Sequence, residues 1–292
     1  MEILESGTGH GSLTLHLARA IHAANTIPPP RPPRSQIQYV ADRNKAPDEK
    51  KTSGGKEETL TSEDSAQQEW DAWRTSRGAI IHTVDVSSKF AALAEHNVQG
   101  FRRGIYAGDV NFYVGAVEEW INDQIARRSK KWKSPEPFLS YALLDMPSAH
   151  ERIPLVKDII KRDGKLVIFA PSITQIGDCV RMIHGLNRPF VLERVVELGS
   201  GLTSGRSWDV RLTVKKSAAD PSTWDATPEG EEASQTFNSE APPDTDSGET
   251  VATDASIYTD EKNTVMVCRP KVGLRTMGGG FVGVWRRIED RP

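Results

Sequence analysis

The stretch that decides the fold is Glu5–Leu13, with the sequence ESGTGHGSL. It follows a short apolar strand over Met1–Glu5 and opens a helix predicted over Ser12–Ala23. Glycines permit positive φ angles and let a ligand approach the backbone closely. A helix N-terminus also offers free N–H groups to an acceptor. We therefore predict a ligand-binding turn here, with a tight turn that binds nothing as the alternative.

Strand and helix patterns alternate along the rest of the chain. The predicted strands are Ala79–Asp85, Gly104–Asp109, Phe138–Leu144, Lys165–Ala170, Phe190–Leu198, Trp208–Val214 and Gly280–Arg287. The predicted helices are Ser87–Val98, Val114–Arg128, Ala149–Lys161 and Ile173–Gly185. Repeated strand–helix units predict an α/β fold with a doubly wound, mostly parallel sheet of about seven strands. No helix separates Phe190–Leu198 from Trp208–Val214, which predicts an antiparallel hairpin at one edge.

Composition divides the 292 residues into a folded body and two inserts. Residues 24–77 and 217–262 are rich in proline or in polar and charged residues, and they contain too little apolar surface to offset chain entropy. We predict that both inserts are disordered and that residues 1–292 form a single domain. Two cysteines do not make a multi-cysteine zinc site, so we expect no metal.

Charge and hydropathy bear on partners and location. The net charge is −3, but residues 217–262 hold twelve acidic residues and a single lysine, so the rest of the chain is mildly basic. A basic body is compatible with a polyanionic partner, although solvated lysines and arginines are normal on any surface. No apolar run reaches about 18 residues, and the first residues lack a basic region followed by an apolar stretch. We expect a soluble, intracellular protein without a membrane partner.

Acidic side chains fall at the carboxyl ends of four successive predicted strands. They are Glu5, Asp85, Asp109 and Asp145. When the predicted insert is removed, Asp85 lies about 20 residues after Gly11, the spacing of a ribose-binding acid in a nucleotide fold. Asp109 follows Gly108 and could accept an exocyclic amine, and Asp145 would lie where substrates bind at the edge of an open sheet. Capping of the following helices is the alternative for Asp85 and Asp145.

The glycine pattern is G-x-G-x-G rather than the G-x-G-x-x-G of dinucleotide-binding proteins. This departure weakens the prediction of a nicotinamide- or flavin-dependent enzyme. An NAD-dependent oxidoreductase remains an alternative because Asp85 would also serve it.

The glycine loop, together with Asp85, Asp109 and Asp145, resembles a class I S-adenosylmethionine-dependent methyltransferase. More narrowly, the chain is similar to the catalytic subunit of the tRNA (adenine-N1)-methyltransferases. The similar stretches are Leu4–Ala20, Leu143–Cys179 and the tail from Arg269-Pro270 through Gly278–Val282. The resemblance implies methyl transfer from S-adenosylmethionine to N1 of an adenine in the T-loop of tRNA.

The resemblance also implies roles for individual residues. The expected cofactor-binding residues are Glu5, Gly7, Thr8, Gly9, His10, Gly11, Ser12, Leu13, Asp85, Val86, Asp109 and Val110. Asp145 would be the catalytic residue that faces the reacting base, and neither His10 nor His150 is expected to catalyse. The expected tRNA contacts are Pro147, Arg127, Arg128, Lys130, Lys131 and Lys133, with a solvated helix end as the alternative for the basic cluster.

Three departures from the family pattern leave an inactive or truncated methyltransferase-like subunit as an alternative. We expect the family's N-terminal β-rich domain to be absent before the glycine loop. The segment Asp145–His150 lacks the family's second proline and aromatic residue, and Gly279-Gly280 replaces its His-Thr pair. The resemblance further implies a homo-oligomer or a non-catalytic tRNA-binding partner subunit, in the nucleus or alternatively the mitochondrion.

Overall fold

The computed structural model describes residues 1–40, 62–129, 136–187, 189–199, 205–214, 264–271 and 278–289. Within these ranges the strands are β1 Glu2–Ser6, β2 Gln38–Tyr39, β3 Ile80–Asp85, β4 Val110–Val114, β5 Leu139–Leu144, β6 Ile160–Ala170, β7 Phe190–Gly199, β8 Arg206–Val214, β9 Thr264–Pro270 and β10 Gly278–Arg287. The helices are α1 Ser12–Ile21, α2 Ser62–Thr75, α3 Ser88–Gly100, α4 Val117–Ser129, α5 Ile153–Lys157 and α6 Ile173–Gly185.

The chain divides into two units. Met1–Val210 and Cys268–Pro292 form the larger one, which contains every predicted site residue, and Arg211–Val267 form the smaller one. Of the smaller unit the structure describes residues 211–214 and 264–267, which are parts of β8 and β9. The prediction of a single domain is not tested by this division and stays a prediction.

The described strands follow the order β2-β4-β3-β1-β5-β6-β10-β7-β8-β9. β1 pairs in parallel with β3 on one side and with β5 on the other, so the order reverses between β1 and β5. β10 runs antiparallel to both β6 and β7. The predicted doubly wound, mostly parallel sheet is confirmed, and so is the antiparallel pairing of β7 with β8. β2 at one edge and β9 at the other are additional to the predicted strands, whereas β8 corresponds to the predicted strand Trp208–Val214.

Helices cover both faces of the sheet. Successive side chains of a strand point to opposite faces, so both sets are buried against helices. On one face Ile81 of β3 packs with Ala18 of α1 and Ala94 of α3 in a buried apolar cluster. On the other face His82 contacts Trp120 of α4, with 5.2 Å between ring centroids. Two-sided burial explains why β3 is almost wholly buried although its sequence does not alternate.

The structure corrects the predicted disorder of residues 24–77 for the two stretches that it describes. Residues 38–39 form β2, and α2 spans Ser62–Thr75 with Trp70 only 3% exposed. The few apolar residues of this insert pack against the folded body, as Ile37 does against the buried apolar cluster and Trp73 against Gly108. Residues 41–61, and the whole predicted insert 217–262, lie outside the described residues.

Two boundaries downstream also differ from the prediction. The helix predicted over Ala149–Lys161 is a 3₁₀ turn at Ala149–Arg152 followed by the short α5, and β6 already begins at Ile160. Among the described residues, no helix is both long enough and apolar enough to cross a membrane.

Candidate cofactor and substrate site

The glycine loop joins the end of β1 to the start of α1, as predicted. The Gly7 N–H donates to the Val84 carbonyl at 2.9 Å, and the Asp145 N–H donates to the Ser6 carbonyl at 2.8 Å. Gly7 has a φ of 93°, and a Cβ added there would lie 1.9 Å from the Asp145 carbonyl oxygen. Glycine is therefore required at position 7, since both the backbone angle and the adjacent strand exclude a side chain.

The next two glycines leave open space above the loop and let the start of α1 approach α3. At Gly9, with a φ of 52°, no described atom lies within 4 Å of an added Cβ, so this position faces open space. Gly11 precedes α1 with a φ of 79°, and an added Cβ would meet the Ala94 Cβ at 3.1 Å. No described side chain caps the N-terminus of α1. The first N–H groups of α1 thus adjoin an open space suited to an acceptor.

Glu5 lies beneath the loop and is completely buried. Thr14 of α1 donates to Glu5 Oε2 at 2.7 Å, whereas Oε1 has no hydrogen-bond partner among the described residues. Burial raises the pKa of Glu5 to about 7, against a hydrogen bond from Thr14 that lowers it. Thr8 bonds Thr83 of β3 at 2.7 Å, which fixes the loop to the neighbouring strand.

Asp85 ends β3 beside the glycine loop. Its Oδ2 accepts from the Gly9 N–H at 3.1 Å, and its Oδ1 accepts from the Ser87 N–H at 2.8 Å. Each carboxylate oxygen retains a free acceptor direction, because an ionised carboxylate offers about four lone-pair sites. The helix cap of α3 is Ser87, whose side chain accepts from Phe90 N–H. Asp85 is therefore not the cap of α3, contrary to the alternative interpretation.

Three further predicted cofactor residues surround this position on the surface. His10 is exposed, and its ring lies edge-on to Phe90 with 5.9 Å between centroids. The His10 carbonyl accepts from the Asn97 side chain at 2.9 Å. Val86 is 75% exposed, and Leu13 is 38% exposed. Exposed apolar side chains of this kind are suited to pack on a flat ligand.

Asp145 follows β5 at the same edge of the sheet. A cleft of about 370 Å³ lies beside it, and Pro147 and His150 contribute to its lining. Ser6 donates to the Met146 sulfur at 3.1 Å, which ties this segment to the glycine loop. Partial burial raises the pKa of Asp145 from its ordinary value of 3.8. Asp145, the glycine loop and the cleft thus lie together at the carboxyl ends of β1 and β5, where the strand order reverses. This is the usual ligand position in open α/β sheets.

The structure places Asp109 and Val110 away from this site. Asp109 immediately precedes β4 instead of ending a strand, so the predicted strand Gly104–Asp109 is wrong. Asn25 donates to Asp109 at 2.7 Å and to the Ala79 carbonyl before β3 at 2.8 Å. His22 contacts the other Asp109 oxygen at 2.8 Å. Asp109 therefore fastens the amino edge of the sheet, opposite the glycine loop.

The described part of the basic cluster also lies at the amino edge. Arg128, near the end of α4, pairs with Glu2 at the start of β1 at 2.7 Å and lies 3.8 Å from the Phe138 ring centroid. Arg127 pairs with Asp123 at 2.7 Å within the same helix. Lys130, Lys131 and Lys133 lie outside the described residues. Arg127 and Arg128 are thus not brought together with Asp145.

Sequence analysis missed the residues at the carboxyl end of β4. Gly115 follows this strand and donates its N–H to the Asp85 carbonyl at 3.0 Å, which places it beside the predicted ribose-binding acid. The signal was present, since the apolar run over Val110–Val114 is the better strand and a glycine follows it.

Comparison with curated proteins bears on the resemblance. Over 214 residues the chain is 27% identical to the tRNA (adenine(58)-N(1))-methyltransferase TrmI of Thermus thermophilus. The predicted resemblance is confirmed. The match covers 73% of this chain and 54% of the relative, so the chain spans about half the length of the curated relatives that it matches. No protein-family profile matches the chain.

Solved structures give only distant matches. A putative methyltransferase from Thermoplasma acidophilum is 10% identical with a TM-score of 0.42, over 99% of this chain and 68% of that one. A tRNA (m1A58) methyltransferase TrmI from Aquifex aeolicus is 13% identical with a TM-score of 0.35, over 73% of this chain and 56% of that one.

Proposed function

We propose that the protein transfers a methyl group from S-adenosylmethionine to N1 of an adenine in the T-loop of tRNA. The observation that carries the proposal is the meeting of the glycine loop, Asp85 and Asp145 at one edge of the sheet, in a chain similar to TrmI. The relatives support a methyltransferase over an NAD-dependent oxidoreductase.

The residues at this edge fit the proposed cofactor. The open space at Gly9 and the uncapped start of α1 suit the methionine carboxylate, because backbone N–H groups there are free to donate. The remaining acceptor directions of Asp85 suit the two vicinal ribose hydroxyls. Val86 offers exposed apolar surface for the base. Bound S-adenosylmethionine supplies an electrophilic methyl group on a sulfonium sulfur.

Methyl transfer to adenine N1 needs electrostatic stabilisation of the methylated base more than it needs a strong general base. Neutral adenine carries a lone pair on N1, so no proton has to be removed before attack. Positive charge then arrives on the base, and a carboxylate at Asp145 would stabilise it while the cleft aligns the reacting atoms. His150 lines the same cleft, but the reaction assigns it no proton transfer.

Partners and location stay predictions. The tRNA substrate, a homo-oligomer or a tRNA-binding partner subunit, and a nuclear or mitochondrial location all come from the family resemblance. The alternative is an inactive or truncated methyltransferase-like subunit with a binding role.

The experiment is transfer of labelled methyl from S-adenosylmethionine to unmodified tRNA, followed by nucleoside analysis of the product. We expect label in N1-methyladenosine, and none in a tRNA whose T-loop adenine is replaced by guanine. Label in another nucleoside would contradict the proposed substrate, and absence of transfer would contradict catalysis by this chain.

A further inference from the structure

The insert between α1 and β3 brings an apolar residue to the proposed cofactor edge. β2 pairs in parallel with β4, with Gln38 opposite Tyr113 and Tyr39 opposite Val114. The next residue, Val40, donates its N–H to the Val114 carbonyl at 2.9 Å. Because β2 and β4 run in the same direction, Val40 lies at the carboxyl end of the sheet, the end that holds the glycine loop.

Val40 packs directly against the residue that follows β4. A Cβ added to Gly115 would lie 2.8 Å from the Val40 Cβ, and Gly115 has a φ of 151°, which favours glycine. The Gly115 N–H donates to the Asp85 carbonyl at 3.0 Å. Asp85, Gly115 and Val40 therefore form a continuous row across three neighbouring strands.

Strand spacing relates this row to a bound nucleoside. Neighbouring strands lie about 4.8 Å apart, so the end of β4 is one such step from Asp85 and Val40 is about two. A ribose held by Asp85 and directed away from β1 would place its base over the end of β4. The exocyclic amino group of adenine lies on the side of the purine away from the ribose, which is the side nearest to Val40.

We propose that Val40 forms the outer wall of the adenine pocket and excludes substituents on the adenine amino group of the cofactor. The proposal rests on the proposed function, because it takes S-adenosylmethionine as the ligand. It assigns a specificity-determining role to an insert that composition alone predicted to be disordered.

Hydrogen bonds to the residues just before Val40 hold this wall in place. Glu95 of α3, which is 6% exposed, accepts from Ser35 Oγ at 2.7 Å and from the Gln36 N–H at 2.6 Å. Arg74 of α2 donates to Asn111 of β4 at 2.7 Å. A buried carboxylate with two donors fixes this segment against α3, as a selective wall requires.

The test compares two ligands by calorimetry, S-adenosylhomocysteine and its N6-methyl derivative. The parent protein should bind S-adenosylhomocysteine more tightly. Val40→Ala should reduce this preference by about threefold to tenfold, because it removes two methyl groups from the wall. Tyr39→Ala is the matched control, since Tyr39 is adjacent, 72% exposed and on the opposite side of β2. It should leave the preference unchanged.

The ratio of the two affinities separates specificity from stability. A variant that merely loosened the fold would weaken both ligands equally and leave the ratio unchanged, which would overturn the proposal. A parent that binds S-adenosylhomocysteine, with a ratio unaffected by Val40→Ala, would refute the wall and leave the proposed function intact. Binding of neither ligand by the parent would refute both.

Discussion

The Glu5→Gln substitution should change how stability depends on pH. Burial raises the pKa of Glu5 from 4.5 to about 7, so the folded state binds this proton more tightly than the unfolded state. At 1.36 kcal/mol per pKa unit, the difference between the folded and unfolded pKa values corresponds to about 3 kcal/mol of folding free energy. Since the pKa is raised on folding, this stabilisation is fully present below about pH 4.5 and is lost as pH rises through about 7. Glutamine cannot ionise and loses none of it.

Urea unfolding of the cofactor-free protein at several values between pH 5 and pH 8 measures this effect. The free energy of unfolding of the parent relative to Glu5→Gln should fall by about 2–3 kcal/mol across that range. Glu69→Gln, at an exposed position of α2, is the control and should show no such trend. If the stability of the parent relative to Glu5→Gln stayed constant or rose between pH 5 and pH 8, Glu5 would not be protonated preferentially in the folded state.

Three further predictions concern the site. Asp145→Asn should lower the single-turnover rate of methyl transfer by about 10²–10³-fold with cofactor affinity retained, and a rate within about threefold of the parent would reject the electrostatic role. Gly7→Ala should abolish S-adenosylhomocysteine binding in calorimetry, because the new Cβ would overlap the Asp145 carbonyl. Gly100→Ala is the control and should be tolerated, since no described atom lies within 4 Å of a Cβ added there. Equal affinities of the two variants for S-adenosylhomocysteine would contradict the predicted steric overlap at Gly7. Asp109→Asn should lower Tm, because it weakens the contacts to His22 and Asn25, but leave S-adenosylhomocysteine affinity within about twofold. A large loss of affinity would show that Asp109 takes part in cofactor binding.

The glycine loop could be predicted from sequence because its requirements are local. Positive φ angles at Gly7, Gly9 and Gly11 follow from a tight strand-to-helix turn, and few other residues satisfy them. Asp85 and Asp145 could be placed for a related reason, since each directly follows an apolar strand whose direction is set by the parallel sheet. Their common edge follows from topology, without knowledge of any side-chain contact.

Asp109 was misplaced because strand boundaries depend on burial that the sequence does not state. Both Gly104–Asp109 and Val110–Val114 carry apolar residues, and although Val110–Val114 is the better strand by sequence, its burial in the sheet decides where the strand begins. The acid then precedes the strand, which moves its side chain to the opposite edge. A shift of a few residues in one boundary thus reversed a functional assignment.

The ordered parts of residues 24–77 could not be predicted from composition. Their stability depends on long-range contacts, such as Trp73 against Gly108 and Ser35 against Glu95. The spacing of Trp70 and Trp73, which places both rings on one helical face, was the only local indication of α2. Val40 reaches the cofactor edge only through these contacts, so its proposed role could not be inferred from the sequence.

Calorimetric titration of the parent protein with S-adenosylhomocysteine and with NAD decides whether the glycine loop and Asp85 form a site for S-adenosylmethionine. We expect saturable binding of S-adenosylhomocysteine at least about tenfold tighter than that of NAD, and weaker binding by Asp85→Asn, which removes the carboxylate that would hold the ribose. Tighter binding of NAD, or unchanged S-adenosylhomocysteine affinity in Asp85→Asn, would exclude such a site.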